Sequence, residues 1–222
     1  KASGALDMDN MVIDIGATSA EEAREKLHIR MGEPVVPATT FHYDEEHDLM
    51  FGKAFDCRIG CAVMLEALRR LEGKELPCDV VAVLSSQEEI GDRGCKIAVN
   101  NVKPNIAIAV DVTYTSDNCG ISEAETGDIA VGKGPVICNN PSIHKKVNEQ
   151  LRACAAKRNI AIQTEAASGR TGTDGDIMHK TGLGVPFALV SIPLRYMHNP
   201  AEVGSLQDVQ DCIDLLAEFF VS

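Results

Sequence analysis

The chain has 222 residues, 45% hydrophobic and 24% charged, enough for one substantial α/β domain and part of a second. Its formal net charge of −12 repels phosphate backbones, so nucleic acid is not an expected partner. No apolar run reaches the roughly 18 residues of a membrane span. Lys1-Ala2-Ser3-Gly4 lacks the apolar core expected of a signal peptide. The eight cysteines form no C-x-x-C pair and sit mostly in apolar runs, which reads as free thiols in a reducing, cytoplasmic setting. Cys57 and Cys61 lie four apart, but no second pair completes a zinc-ribbon pattern.

Met11 to Gly16 reads as a strand ending in glycine, and Ser19-Ala20-Glu21-Glu22 as a capping box opening a short helix to about Leu27. A turn at Gly32-Glu33-Pro34 leads through 35–41 to the polar cluster His42–Asp48, a hairpin loop. Residues 1–50 thus form a β-rich piece with too few apolar side chains for a core of its own. From residue 51 to 222 strand and helix alternate. Leu49–Phe55 runs into Asp56. A helix from Ile59 to Leu71 follows, apolar at Ile59, Val63, Leu65, Leu68 and Leu71 and stopped by Gly73. Asp79–Leu84 is apolar and rich in valine, the pattern of a buried strand. It leads to Glu88-Glu89, then Gly91, Gly94 and a short helix to about Val99. Asn105–Val110 is another buried strand, ending at Asp111. Asp128–Val131 and Gly134–Ile137 read as edge strand and loop. Ser142 caps a helix to about Lys157. Ile160–Thr164 is a strand that enters the glycine-rich loop 168–175, with a short helix after it. Phe187–Ile192 is a buried strand, and Ser205 caps a last helix to about Val221. This alternation argues for an α/β fold, a mainly parallel sheet with helices on both faces.

In such sheets functional groups collect beyond the carboxyl ends of the strands. Asp56, Glu88, Glu89, Asp111 and His198 all fall at such ends. Neighbouring acids raise each other's pKa, a cost that a metal ion or a proton-transfer task offsets. Three acids and a histidine suit a divalent cation such as zinc. A carboxylate can bridge two ions, and one acid of the pair must stay off the metal to act as base. Each residue taken singly has a plainer reading. Asp56 could pair with Arg58, Asp111 could cap a strand end, and His198 could be a surface histidine.

Gly52-Lys53-Ala54-Phe55-Asp56-Cys57-Arg58-Ile59-Gly60 resembles a motif of the glutamyl/tetrahedral aminopeptidases, a family of dinuclear metallopeptidases. Gln87–Gly94, Val110-Asp111-Val112-Thr113, Gly172-Thr173-Asp174 and Arg195–Pro200 match the same family in the same order. The resemblance implies removal of amino-terminal residues from peptides by metal-activated water. It implies two divalent ions, zinc or cobalt. Asp56 would bridge them, Glu89 and His198 would hold one, and Asp111 would ligate the other, with Glu88 as general base. Thr173, Asp174 and Arg170 of the glycine-rich loop are the expected substrate contacts. Residues 1–50 would be the last part of the family's PDZ-like insertion, which mediates assembly, and 51–222 the catalytic domain. Homo-oligomers from dimer to dodecamer are implied.

Two departures accompany this likeness. The family's fifth ligand is a histidine in a segment before the insertion, and this chain is expected to begin inside the insertion. The second ion then has only Asp56 and Asp111, since His42 and His47 lie in the wrong element. The family also has Asp-Asp where this chain has Asp56-Cys57. Alternatives are a non-catalytic or truncated assembly subunit of the same fold, a deacylase or carboxypeptidase, and a glycoside hydrolase, as some relatives are labelled.

Overall fold

The computed structural model describes residues 11–119 and 121–222. The chain divides into two compact units, Lys1–Ala38 and Thr39–Ser222. In the small unit, α1 spans Ala20–Glu25, and its cap is the expected one. Ser19 Oγ accepts the Glu22 N–H at 3.1 Å, and the Glu22 carboxylate reaches back to the Thr18 N–H at 3.0 Å. The strand expected at 11–16 joins no ladder, and Val12 is 90% exposed. Among the described residues of this unit there is no strand, so the expected β-rich character is not found there.

In chain order the larger unit holds β1 (His42–Asp44), β2 (Leu49–Gly52), α2 (Phe55–Leu71), α3 (Arg93–Val102) and β3 (Ala107–Tyr114). Then come α4 (Glu123–Thr126), β4 (Val136–Asn139), α5 (Lys145–Arg158), β5 (Gln163–Ala166) and α6 (Gly175–Met178). The chain closes with β6 (Phe187–Leu194), β7 (Glu202–Ser205) and α7 (Leu206–Val221). The main sheet has the order β3-β6-β4-β5. The β3–β6 and β4–β5 pairs are parallel and β4–β6 is antiparallel, a mainly parallel sheet. β6 is buried at every position, which requires cover on both faces. Val63 of α2, Leu151 of α5 and Leu215 of α7 pack with Ile137, Leu189 and Ile192 of the sheet. Cys95 and Val99 of α3 form a smaller cluster with Val185, against Ile177 and Met178. Truncating a fully buried side chain here, such as Leu151→Ala, is expected to cost about 3–5 kcal/mol.

A second sheet, β1-β2-β7, is antiparallel, with Gly52 opposite Glu202. It joins the 42–52 hairpin to β7 within the larger unit. β7 was not anticipated, because four residues beginning with a glutamate carry little strand signal. Asp79–Leu84 differs most from expectation. It joins no ladder among the described residues, and Val81, Val83 and Leu84 are 57%, 37% and 53% exposed. Composition supplies strand propensity, but burial and pairing depend on a neighbouring strand. Ser142 does not cap α5; its N–H and hydroxyl both donate to Asn140 Oδ1 instead. α6 is a single turn, and 128–131 is not a strand. Ser205 does cap α7, its Oγ accepting the Asp208 N–H at 3.2 Å.

Candidate functional site

Asp56 stands in the tight turn between β2 and the body of α2. Ala54 enters it at φ +53°, and Asp56 (φ −69°, ψ 119°) and Cys57 (φ −107°, ψ 51°) are not helical. Arg58 spends its guanidinium on this turn, donating to Ala54 O at 2.8 Å and Lys53 O at 2.9 Å, rather than pairing with Asp56. Glu88 and Glu89 ride on a turn closed by Gly91 N–H to Glu88 O at 2.9 Å and Gly94 N–H to Ser86 O at 2.8 Å. A Cβ on Gly94 would lie 2.5 Å from the Ser86 backbone, so only glycine lets α3 start this close to the turn.

Asp111 lies inside β3, opposite Ser191 of β6, and not at a strand end as expected, because pairing with β6 carries the strand on to Tyr114. His198 follows β6 on a turn in which Tyr196 and His198 have φ of +61° and +64°. Its Nε2 stands 2.9 Å from Asp56 Oδ2 and 3.8 Å from Glu89 Oε2, and its Nδ1 is 3.1 Å from the Tyr114 hydroxyl.

These elements produce two groups of potential ligand atoms, each with all its atoms within 4.8 Å of one another. One is Asp56, Glu89 and His198; the other is Asp56, Cys57 and Asp111. Two oxygens and an imidazole nitrogen match the donors that divalent zinc-like cations take, and a thiol is a softer donor of the same class. Asp56 is common to both groups, which fits a carboxylate shared between two ions.

The electrostatics favour a cation as well. Burial, reinforced by Asp111, Glu89, Asp92 and Asp174, pushes Glu88 up to about 8. Burial is also the main cause that pushes Asp111 up to about 7. Asp56 is raised by burial and by Glu89, with His198 opposing. The Cys57 thiol is driven upward by burial and then by Asp111, and it donates to Val110 O at 3.6 Å. Acids that resist ionising side by side mark a place where positive charge is wanted.

The glycine-rich loop is tied down from within. Thr173 is buried, and its hydroxyl meets Thr171 Oγ1 at 2.9 Å and accepts the Gly175 N–H at 3.1 Å. Asp174 accepts a hydrogen bond from the Ser85 hydroxyl, just upstream of the Glu88-Glu89 turn. Arg170 pairs with Asp176 at 2.9 Å and Asp92 at 3.5 Å, with its side chain 72% exposed. Two residues of the site were missed by sequence reasoning. Tyr114 carries no signal beyond its place in β3. Glu202 carries none either, a single acid in the short stretch Ala201-Glu202-Val203-Gly204.

The M42 glutamyl aminopeptidase family matches residues 1–215. The chain belongs to that family. This M42 chain is 37% identical over 215 residues to the lysyl aminopeptidase of Pyrococcus furiosus, covering 96% of itself and 59% of the relative. Among solved structures, it is similar to a TET aminopeptidase from a marine sediment archaeon of the Thaumarchaeota, with TM-score 0.90, 34% identity, and 99% and 62% of the two chains covered. It also resembles the TET1 peptidase of Pyrococcus horikoshii, which can assemble into a tetrahedron or a large octahedral shell. There the TM-score is 0.77 and the identity 27%, with 98% and 65% of the chains covered. The M42 chain therefore spans about three fifths of the length of the relatives it matches. No helix of the described residues is long and apolar enough to cross a membrane.

Proposed function

We propose that the protein is a metal-dependent aminopeptidase that removes amino-terminal residues from peptides. The observation that carries this reading is the convergence of Asp56, Glu89 and His198, from three separate stretches of chain, on one point. Asp56 would be shared by two divalent ions, zinc or cobalt, with Glu89 and His198 completing one position and Asp111 serving the other. Such ions supply Lewis-acid polarisation of a peptide carbonyl and a lowered pKa for water. Glu88 supplies the proton traffic. Its carboxylate takes a proton from the attacking water and returns it to the nitrogen of the departing peptide. In the metal-free chain burial and the neighbouring acids raise its pKa to about 8, and cations held beside it would favour the carboxylate that accepts the proton. Thr173 and Asp174 would shape the wall beside the site, and the exposed Arg170 would meet the substrate.

Glycosidic cleavage is less well supported, because it calls for two carboxyl groups on either side of the scissile bond. Glu88 and Glu89 are instead adjacent on one turn. Residues 1–50 are read from the sequence resemblance as part of an insertion that mediates homo-oligomer formation, and the P. horikoshii peptidase that the chain resembles can assemble into a tetrahedron or a large octahedral shell. The eight free cysteines suit a cytoplasmic setting.

The test is hydrolysis of unblocked and N-acetylated peptides by the chain, with metal content measured on the same sample. The proposal expects cleavage of unblocked peptides only, abolished by a chelator and restored by zinc or cobalt. Undiminished turnover after complete metal removal would sink it. Metal binding without turnover would favour the non-catalytic assembly subunit.

A further inference from the structure

We propose that Glu202 is a positioning residue that locks the Asp56 turn and the His198 turn together, and so fixes the geometry of the shared metal position. The inference rests on the metal-site reading above. Glu202 opens β7 and is only 2% exposed. One of its oxygens, Oε2, accepts the Phe55 N–H at 2.5 Å and the Asp56 N–H at 3.3 Å. The other, Oε1, accepts the His198 N–H at 3.2 Å. One carboxylate thus holds the backbone of two ligand-bearing residues whose side chains meet at 2.9 Å.

Both turns need holding. Ala54, just before the first, and Tyr196 and His198, in the second, have φ between +53° and +64°, a region that side chains with a Cβ disfavour. Residues stay there only where their surroundings over-determine them. Backbone amides provide those three grips, so the buried charge is met by oriented dipoles. Packing alone gives no reason for a carboxylate here, since an apolar side chain would fill the space without the cost of desolvating a charge. Two acceptor oxygens pointing at two different turns do give one. Glutamine keeps the shape but presents an NH2 group to one of the turns in place of an acceptor, so one grip is lost.

The experiment compares cobalt(II) binding to the chain and to its Glu202→Gln, Glu202→Asp and Val203→Ala variants. Affinity is read by calorimetry, coordination by the visible absorption of the bound cobalt, and folding by circular dichroism. Glu202→Gln is expected to fold, to bind cobalt about 10- to 100-fold more weakly, as loss of an outer-shell partner does, and to change the visible spectrum. Val203→Ala, its strand neighbour, controls for lost stability alone and is expected to leave the spectrum unchanged. If Glu202→Gln does not fold, Glu202→Asp, which keeps the charge but is too short to span both turns, is expected to show the same spectral change. Wild-type affinity and spectrum in any folded variant at position 202 would overturn the proposal and leave the metal site standing. Failure of the unmutated chain to bind cobalt would overturn both.

Discussion

Asp56 and His198 leave from paired strands. β2 ends just before the first, β6 and β7 bracket the second, and a buried glutamate grips both turns. Glu88 and Glu89 reach the same place by another route, after a stretch that joins no ladder among the described residues and leaves three of its apolar side chains exposed. The Glu89 side chain is 62% exposed, against 10% for Asp56. The residue shared by both candidate ion positions is thus more firmly held than Glu89, and Glu88, the acid proposed for proton transfer, sits on the same less supported turn as Glu89. Few buried contacts mean that local opening costs less there than in the sheet. What secures the turn itself is short-range: the hydrogen bonds onto Glu88 O and Ser86 O, and the link from Ser85 to Asp174.

The largest expected effect separates chemistry from scaffolding. Glu88→Gln should lower turnover by about 10²- to 10⁴-fold while metal content and melting temperature stay near those of the parent. Asp56→Asn, on the firmly held side, should cost metal as well as turnover. Equal metal loss in both variants would erase the distinction between the two turns.

A second prediction concerns pH. In the metal-free chain Glu88 and Asp111 keep their protons up to about 8 and 7, whereas ordinary carboxylates have lost theirs by pH 5. Asp208, pushed up to about 6 by burial, follows the same trend. Between pH 5 and 8 the folded chain therefore binds more protons than the unfolded one, so stability must fall as pH rises. The metal-free melting temperature should drop across that window. Added zinc or cobalt should restore more at pH 8 than at pH 5, because the ligands must shed protons to bind. A metal-free melting temperature that climbs from pH 5 to 8 would contradict the assignment of raised pKa values to this cluster.

The comparison also shows which signals sequence carried. α2 was legible from the helical repeat of its apolar positions, β6 from its continuous apolar run and α7 from its Ser205 cap. Asp56, Glu89 and His198 were legible as candidates because each follows an apolar run, and the structure brings the three together. Asp79–Leu84 misled for the same reason: its valines carry strand propensity, but pairing is settled by a neighbour that composition does not name. Glu202 was illegible because its task is to receive backbone amides from residues far off in sequence, and backbone donors leave no mark on a sequence.

A third prediction reads the contrast through the backbone. Amides of 79–84 should exchange with solvent well before those of β3 and β6, where eight consecutive residue pairs stand in register. Protection of 79–84 equal to that of β6 would mean that the stretch is covered in solution.

The smallest effect uses the cysteines as reporters. Cys57 stands beside Asp56 in the gripped turn, where burial above all keeps its thiol protonated and its hydrogen goes to Val110 O. Cys78 lies just before the unpaired stretch and is exposed, as is Cys119. Thiolate is the reactive form, and access limits what reaches it. Brief treatment of the native, metal-free chain with iodoacetamide near neutral pH should therefore alkylate Cys78 and Cys119 and spare Cys57, as peptide mapping by mass would read. Denaturing the chain first should make all three react. Alkylation of native Cys57 at the rate of Cys78 would mean that the Asp56 turn opens as readily as the stretch before Glu88, and the two halves of the site would then no longer differ.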